Sequence, residues 1–318
     1  MAWTDLTVAE AQTVQSTYYD KVQPEQQVYE EDPFLNKLKR DNQVVWDGGN
    51  DYQWPVRYRK YSRANAVDPD AAKTFETKPT RTGAKLDPAY YDIDSMITWK
   101  ERQANHGKAK IVNLLGDKNT ELMEDFMDRM ATDLYTTNPN GLGFISLDVI
   151  VDSAADYAGI AVANAAAWAG VEDSTTTVLA LYGANSLSYA LNLATLGKNR
   201  PNMIETTRNL AAAYESLLEP QKRYKDIETA SAGFPNVTFH EIPVLGNPFV
   251  PAGYMYGLNT RVFELLYDPD WNFEKSPWTE LWPTFPRNLG MIMSWVGNLK
   301  CKMRRCNFKF SALDYTLV

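Results

Sequence analysis

His106 and His240 are the two histidines of the chain, so a Ser/His/Asp or Cys/His nucleophile would have to use one of them. Neither stands in a nucleophile motif. His240, between Phe239 and Glu241, reads as a structural residue on a strand, and His106-Gly107 as a surface turn. Cys301 and Cys306 are five apart with no histidine near them, which is neither a zinc spacing nor a disulfide framework. Gly141-Leu142-Gly143 lacks the rest of a dinucleotide or phosphate-loop fingerprint. Carboxylates remain: Asp117, Glu121, Glu124, Asp125, Asp128 and Asp133 crowd one segment. Paired carboxylates can perform acid–base chemistry, but spacing along a chain does not pair them in space. Their simpler reading is a solvated or contact face. No catalytic, metal or cofactor site is expected.

The element that carries those carboxylates runs from Lys108 to Thr136. Ile111, Leu115, Leu122, Phe126, Met130 and Leu134 recur at spacings of three, four or seven, one face of an α-helix. From Asp117 to Thr136 alone, at about 1.5 Å per residue, the helix would be roughly 30 Å long. In a chain otherwise rich in short strands, a helix of this length predicts a strut.

At 318 residues, with 44% hydrophobic and 23% charged, the chain can bury a substantial core in one or two units. A net charge of −8 argues against a general nucleic-acid binder, though not against local contact. The start, AWTDLTVAEAQTV, has neither a basic opening nor an apolar run, so no signal peptide is expected. No stretch reaches 18 apolar residues, so no membrane helix is expected either. Cysteine usage suits folding in a reducing cytoplasm. The 9 Trp, 18 Tyr and 12 Phe are the residue types that fill interfaces as well as cores.

Residues 1–45 are polar and acidic, with isolated apolar anchors at Val22, Val28, Tyr29, Phe34 and Leu35. They predict an arm that is disordered or becomes ordered by lying on something else. Asp47-Gly48-Gly49-Asn50 is a turn opening a strand through Trp54, Val56 and Tyr58, and a second alternating strand runs from Tyr91 to Trp99. Together they predict a long hairpin whose polar middle carries Arg57, Arg59, Lys60, Arg63, Lys73, Lys78, Arg81 and Lys85 against Asp68, Asp70 and Glu76. So little apolar content does not hold a hairpin up alone. It reads as a basic tongue that rests on another surface.

After the helix, FISLDVIVD at 144–152 reads as a strand, and EDSTTT at 172–177 as the link into a new unit. That unit has a helix over Asn185–Leu196 stopped by Gly197, a buried strand at Pro201–Glu205, and a helix capped by Thr206 or Thr207 that ends before Pro220. NVTFHEIPVL and YMYGLNTRVFELLY read as strands. Pro269 to Pro286, dense in Trp and Pro, predicts an extended connection packed on a surface. Strands over 291–313 are expected to return to the first unit's sheet. Lys300, Lys302, Arg304 and Arg305 form a dense basic patch there, either an exposed strand edge or a polyanion contact.

In this order stand DPFLNKLKRDNQVVWDGGNDYQWPVRYRK (32–60), PNMIETTRNLAAAYESLLEPQKRYKD (201–226), AGFPNVTFHEIPVL (232–245), AGYMYGLNTRVFELLYDPDWNF (252–273) and WVGNLKCKMRRC (295–306). The chain resembles, over nearly its whole length, the major capsid proteins of tailed bacteriophages with the Hong Kong 97-type fold. The resemblance implies an α+β fold with an N-terminal arm at 1–45 and an extended loop at 46–105. It implies a peripheral domain with the spine helix at 106–169, an axial domain at 170–270, and a connection with return strands at 271–318. It implies pentamers and hexamers of the chain itself around double-stranded DNA held without sequence-specific binding, in the virion capsid after assembly in the host cytoplasm. Portal, scaffold and decoration proteins are its implied partners, with no cofactor and no membrane. An encapsulin-type nanocompartment shell shares that fold, and a soluble β-rich enzyme using carboxylates is the remaining alternative.

Resemblance and charge converge on one contact. The tongue carries eight basic and three acidic residues between 57 and 85, and the helix six acidic and two basic between 117 and 133. The tongue of one subunit is expected to cross a neighbour's helix and arm, with charge setting register and aromatic and aliphatic anchors supplying most of the energy. The Lys300–Arg305 patch is expected to face another subunit's acidic edge and not DNA.

Overall fold

Asp32 begins the first element. Its Oδ1 accepts hydrogen bonds from the backbone N–H groups of Phe34 (2.8 Å) and Leu35 (3.1 Å), and Pro33 occupies the first helical turn, where a missing N–H costs nothing. The computed structural model describes residues 32–314 apart from 47, 59–65, 67, 71–76, 78, 105–107, 139 and 219–236; the side chains of 104, 108–115 and 117 are also outside the description. Helix α1, Pro33–Asp41, buries Phe34, Leu35 and Leu38, and the Phe34 ring meets Phe263 edge-on at 5.2 Å. Strand β1, Gln43–Val45, then pairs parallel to a strand of the main sheet. The part of the expected arm that is described therefore belongs to the body of its own subunit. Three apolar residues at i, i+1 and i+4 behind a cap suffice when a sheet waits to cover them. Residues 1–31, with Val22, Val28 and Tyr29, lie outside the described residues.

The main sheet is built on two long strands, β10 (Phe263–Lys275) and β12 (Phe285–Cys301), antiparallel from Phe263↔Cys301 to Lys275↔Met293 with bulges between Tyr267 and Glu274. β1 covers one edge, β4 (Ala89–Ile97) pairs antiparallel with β12 on the other, and β11 (Thr279–Leu281) continues the lane of β10. The Trp/Pro segment is thus strand and hairpin. Trp278 is buried, but Trp271 and Trp282 are 50% and 77% exposed, so the expected surface packing holds for one Trp of three.

Short helix α2 (Trp99–Ala104) leads to α3, Lys108–Tyr135, the strut read from the sequence. Its 28 residues span about 42 Å at the usual rise. Leu122, Met123, Phe126, Met127, Met130, Leu134 and Tyr135 bury against the inner face of the sheet, where Trp295 is fully enclosed by Tyr91, Phe144 and Phe273. Each such side chain contributes about 1.5–3 kcal/mol on burial, so this stripe holds the helix down.

The expected strand at 144–152 is instead a turn of helix, α4 (Leu147–Ile150), capped by Ser146. Phe144, Leu147, Ile150 and Val151 recur at helical and not alternating spacing, and all are buried. A second sheet runs β5 (Val171–Asp173), β13, β9, β6, β8, β7. Here β6 is Met203–Thr206, β7 Val237–Phe239, β8 Ile242–Gly246, β9 Met255–Leu258 and β13 Phe308–Phe310. Helices α5 (Leu187–Ala194, capped by Ser186) and α6 (Arg208–Leu217, capped by Thr207) cover it. They share a second core with Leu187, Leu191, Ile204, Leu210, Tyr214 and Phe310. The last strand therefore does not return to the main sheet: the chain leaves β12 at Cys301 and closes the second one through β13. His240 sits with Glu241 in the tight turn between β7 and β8, both at positive φ and both exposed, and not on a strand.

Strands β2 (Tyr52–Arg57) and β3 (Arg81–Leu86) form a ribbon of their own. The tongue's second leg is thus Arg81–Leu86 and not the Tyr91–Trp99 strand, which is claimed by β12. Two-stranded ribbons are marginal alone; this one buries Trp54, Val56, Ala84 and Leu86 against the main core.

Candidate assembly surface

Across the stem of the tongue, Arg57 stands directly opposite Arg81, and both are exposed. Like charges in facing positions destabilise a ribbon unless an acidic partner covers them. Among the described residues neither arginine has an ion-pair partner. Lys85 is partly satisfied at home, 3.4 Å from Asp51 and 3.9 Å from Asp87. Arg59, Lys60, Arg63, Lys73 and Lys78 lie outside the described residues.

On α3, Glu121, Glu124, Asp125 and Asp128 are exposed and form an acidic row on the face away from the sheet, with Glu121 partly met by Lys118 at 2.9 Å. The side chain of Asp117 lies outside the described residues. Asp133 departs from the row. It is buried and accepts from the Tyr91 hydroxyl (3.0 Å), Arg129 Nε (3.2 Å) and Asn138 Nδ2 (3.2 Å). The expectation that it contacts a neighbour is corrected: Asp133 is seven residues after Phe126 and three after Met130, on the buried stripe. Burial, followed by the Asp133 charge, drives the Tyr91 hydroxyl well above its ordinary range, so it stays a donor while also accepting from Phe144 N–H. Gly143 lies against that hydroxyl at φ +104; a Cβ there would come within 2.6 Å of it.

The basic patch near the C-terminus is also corrected. Lys300 is buried and pairs with Glu264, its cross-strand partner, at 2.7 Å; Lys302 pairs with the other oxygen of the same carboxylate. Arg304 is fully buried and donates to the carbonyls of Val149, Ile150, Asp152 and Ala155, satisfying the end of α4. Of the four, Arg305 alone is exposed without a drawn-in role. No acidic edge of another subunit is needed for the other three. The partners lie 36 and about 150 positions away, which no local pattern reveals.

Three further features stand out, the first on the polar side of the alternating Tyr91–Trp99 strand and the other two without a local sequence signal. Asp92 and Asp94 point outward from β4 beside Tyr90 (68% exposed), Met96 and, on β12, Ile292 (50% exposed), a mixed apolar and acidic face. Lys309 is buried among Asp148 (2.8 Å), Asp152 (3.1 Å) and Glu172 (3.2 Å), joining β13 and β5 to the turn after α4. Asp32, Tyr135, Glu205 and Asn247 meet where α1, α3 and the second sheet join: Tyr135 donates to Glu205, and Asn247 Nδ2 lies 3.0 Å from the Tyr135 hydroxyl. Burial, then the nearby Asp32, pushes the Glu205 carboxyl well above its ordinary value. Cys301 and Cys306 are free and buried, and burial pushes the Cys301 thiol up to about 12, which suits an inert core residue.

No family model and no curated protein sequence matches the chain. Solved structures do. A cyanophage A-1(L) capsid subunit superposes with a TM-score of 0.67 at 16% identity, covering 90% of this chain and 93% of that one. The satellite phage P4 procapsid, described with its size determination protein, gives 0.52 at 12% identity over 96% and 98%. The SrpI encapsulin complex of Synechococcus elongatus gives 0.53 at 11% identity over 90% of each chain. The chain has the fold of the capsid shell proteins. More narrowly, that fold is the α+β, Hong Kong 97-type architecture of tailed-phage major capsid proteins that the sequence pointed to.

Proposed function

We propose that this protein is the structural subunit of an icosahedral phage head, assembling from copies of itself into pentamers and hexamers around a double-stranded DNA genome. The observation that carries the reading is the superposition on the cyanophage capsid subunit over 90% of this chain and 93% of that one. The work of the molecule is then association. The tongue of one subunit lies over the acidic row Glu121, Glu124, Asp125 and Asp128 of its neighbour, relieving the Arg57–Arg81 repulsion in its own stem. Exposed ion pairs contribute about 0–1 kcal/mol each, so they set register. Exposed aromatic residues such as Tyr90, Trp282 and Phe285 supply apolar area.

The DNA is enclosed without sequence-specific contact, consistent with a net charge of −8. Portal, scaffold and decoration proteins complete the head, and the subunit has no catalytic step. The encapsulin match supports a second reading, a shell around protein cargo. Particles purified after nuclease treatment separate the two. Protected double-stranded DNA of genome length supports the phage head, whereas protein cargo and no DNA supports the nanocompartment. A stable monomer with hydrolase activity contradicts both.

A further inference from the structure

Among the described residues, the β2–β3 ribbon shares no strand ladder with either larger sheet. Its inner face is apolar, and apolar burial is non-directional: it holds a ribbon down without fixing its angle. Among the described residues, directional contacts tie the stem to the body at several points. A main-chain hydrogen bond runs from Lys85 N–H to the Ala158 carbonyl, 2.9 Å, and just past β3 Asn298 Nδ2 donates to the Asp87 carbonyl, 2.8 Å. The contact that gathers both rings of β2 is Lys300. Its ammonium lies 4.6 Å from the centre of the Tyr52 ring and 5.2 Å from that of Trp54, both on β2. The same nitrogen is 2.7 Å from Glu264 on the adjacent strand and 3.5 Å from the Tyr52 hydroxyl, and the side chain is 5% exposed. Burial alone would raise the Glu264 carboxyl, but the hydrogen bonds from Lys300 and Lys302 outweigh it and hold the group below its ordinary value, ionised.

A buried ammonium is a poor choice for stability, since an apolar residue of similar volume serves a core at least as well. What a cation adds is a choice of partners: once buried, its charge is satisfied only where the ring faces and the carboxylate come together around it. The rings it holds continue into a run through Trp46, Tyr52, Trp54 and Tyr157, with centroids 6.1, 6.1 and 6.5 Å apart in turn. We propose that Lys300 is a positioning residue: with Glu264 behind it and Tyr52 and Trp54 in front, it fixes the angle at which the tongue leaves the body. Through that angle it sets the curvature that neighbouring subunits adopt. This deepens the shell reading, and its test has an arm independent of assembly.

The experiment compares the full-length chain with Lys300→Met, Lys300→Arg and Lys302→Met. It reads amide exchange in 52–57 and 81–86 against exchange in α3 and β12, and the diameter distribution of particles by electron microscopy. Lys300→Met should exchange about tenfold faster in the two stem segments and not in the body, with particles of mixed diameter. Lys300→Arg should restore both readings, and Lys302→Met, which shares Glu264 but touches no ring, should match the wild type in both. Unchanged stem exchange in Lys300→Met overturns the proposal, and so does exchange raised uniformly through the body. Should Lys300→Met not fold, Tyr52→Leu, at a half-buried ring, takes its place with the same readings. If the wild type forms no particles the shell reading fails, while stem exchange still decides the role of Lys300.

Discussion

Residues 32–46 and the tongue stem at 52–57 and 81–86 look alike in sequence: charged, sparsely apolar, set before the first long helix. The structure treats them differently. The first segment has Phe34, Leu35 and Leu38 on one helical face behind the Asp32 cap, and a strand that adds to β10, so it completes its own subunit's core. The second has a buried inner face along its stem, an arginine facing an arginine, and, among the described residues, no ladder to either sheet. A few apolar residues in helical register can serve a subunit's interior. A basic ribbon anchored by its stem serves whatever lies beyond it.

The comparison breaks most decisively at Phe34. Phe34→Ala should lower stability of the full chain by about 3–5 kcal/mol, read as a shift in the urea midpoint. A loss below about 1 kcal/mol would mean α1 is an appendage after all. Asp32→Ala is next, about 1–2 kcal/mol from the lost cap, partly offset because Glu205 then sheds its buried negative neighbour. Glu205→Gln sharpens the same junction through pH. The folded state holds the Glu205 proton more tightly than the unfolded chain, whose carboxyl titrates near its ordinary 4.5. Stability from this group is therefore complete below that value and declines as pH rises above it. The glutamine variant should flatten the decline, in a series of midpoints from pH 4 to pH 8, roughly the range where carboxyls and histidines titrate. Smallest for the isolated subunit is Arg57→Glu, expected to move its stability by no more than about 0.5 kcal/mol, because one exposed repulsion becomes one exposed attraction.

Legibility in the sequence followed locality. The spine helix could be read because its stripe repeats over many turns, and the cap at Thr207 because capping is a local event. Asp133 was misplaced by its charge, although its spacing from Phe126 and Met130 already put it on the buried face. The second leg of the tongue hid because RTGAKL shows only Ala84 and Leu86 to the core, too little to register as alternation. Lys300 and Arg304 read as an exposed basic patch because their partners are brought in from distant segments, and only the assembled structure shows that each is enclosed. The proposed contact between tongue and spine helix rests on charge balance alone.

That contact is tested most directly by a charge exchange across it. Arg57→Glu with Arg81→Glu should abolish closed particles while leaving a folded subunit, and Glu124→Lys with Asp128→Lys should do the same. Mixing all four changes in one chain should restore closed particles under the electron microscope. Particles formed normally by either pair alone, or no recovery when the pairs are combined, would contradict an assembly held in register by one subunit's tongue on another's spine.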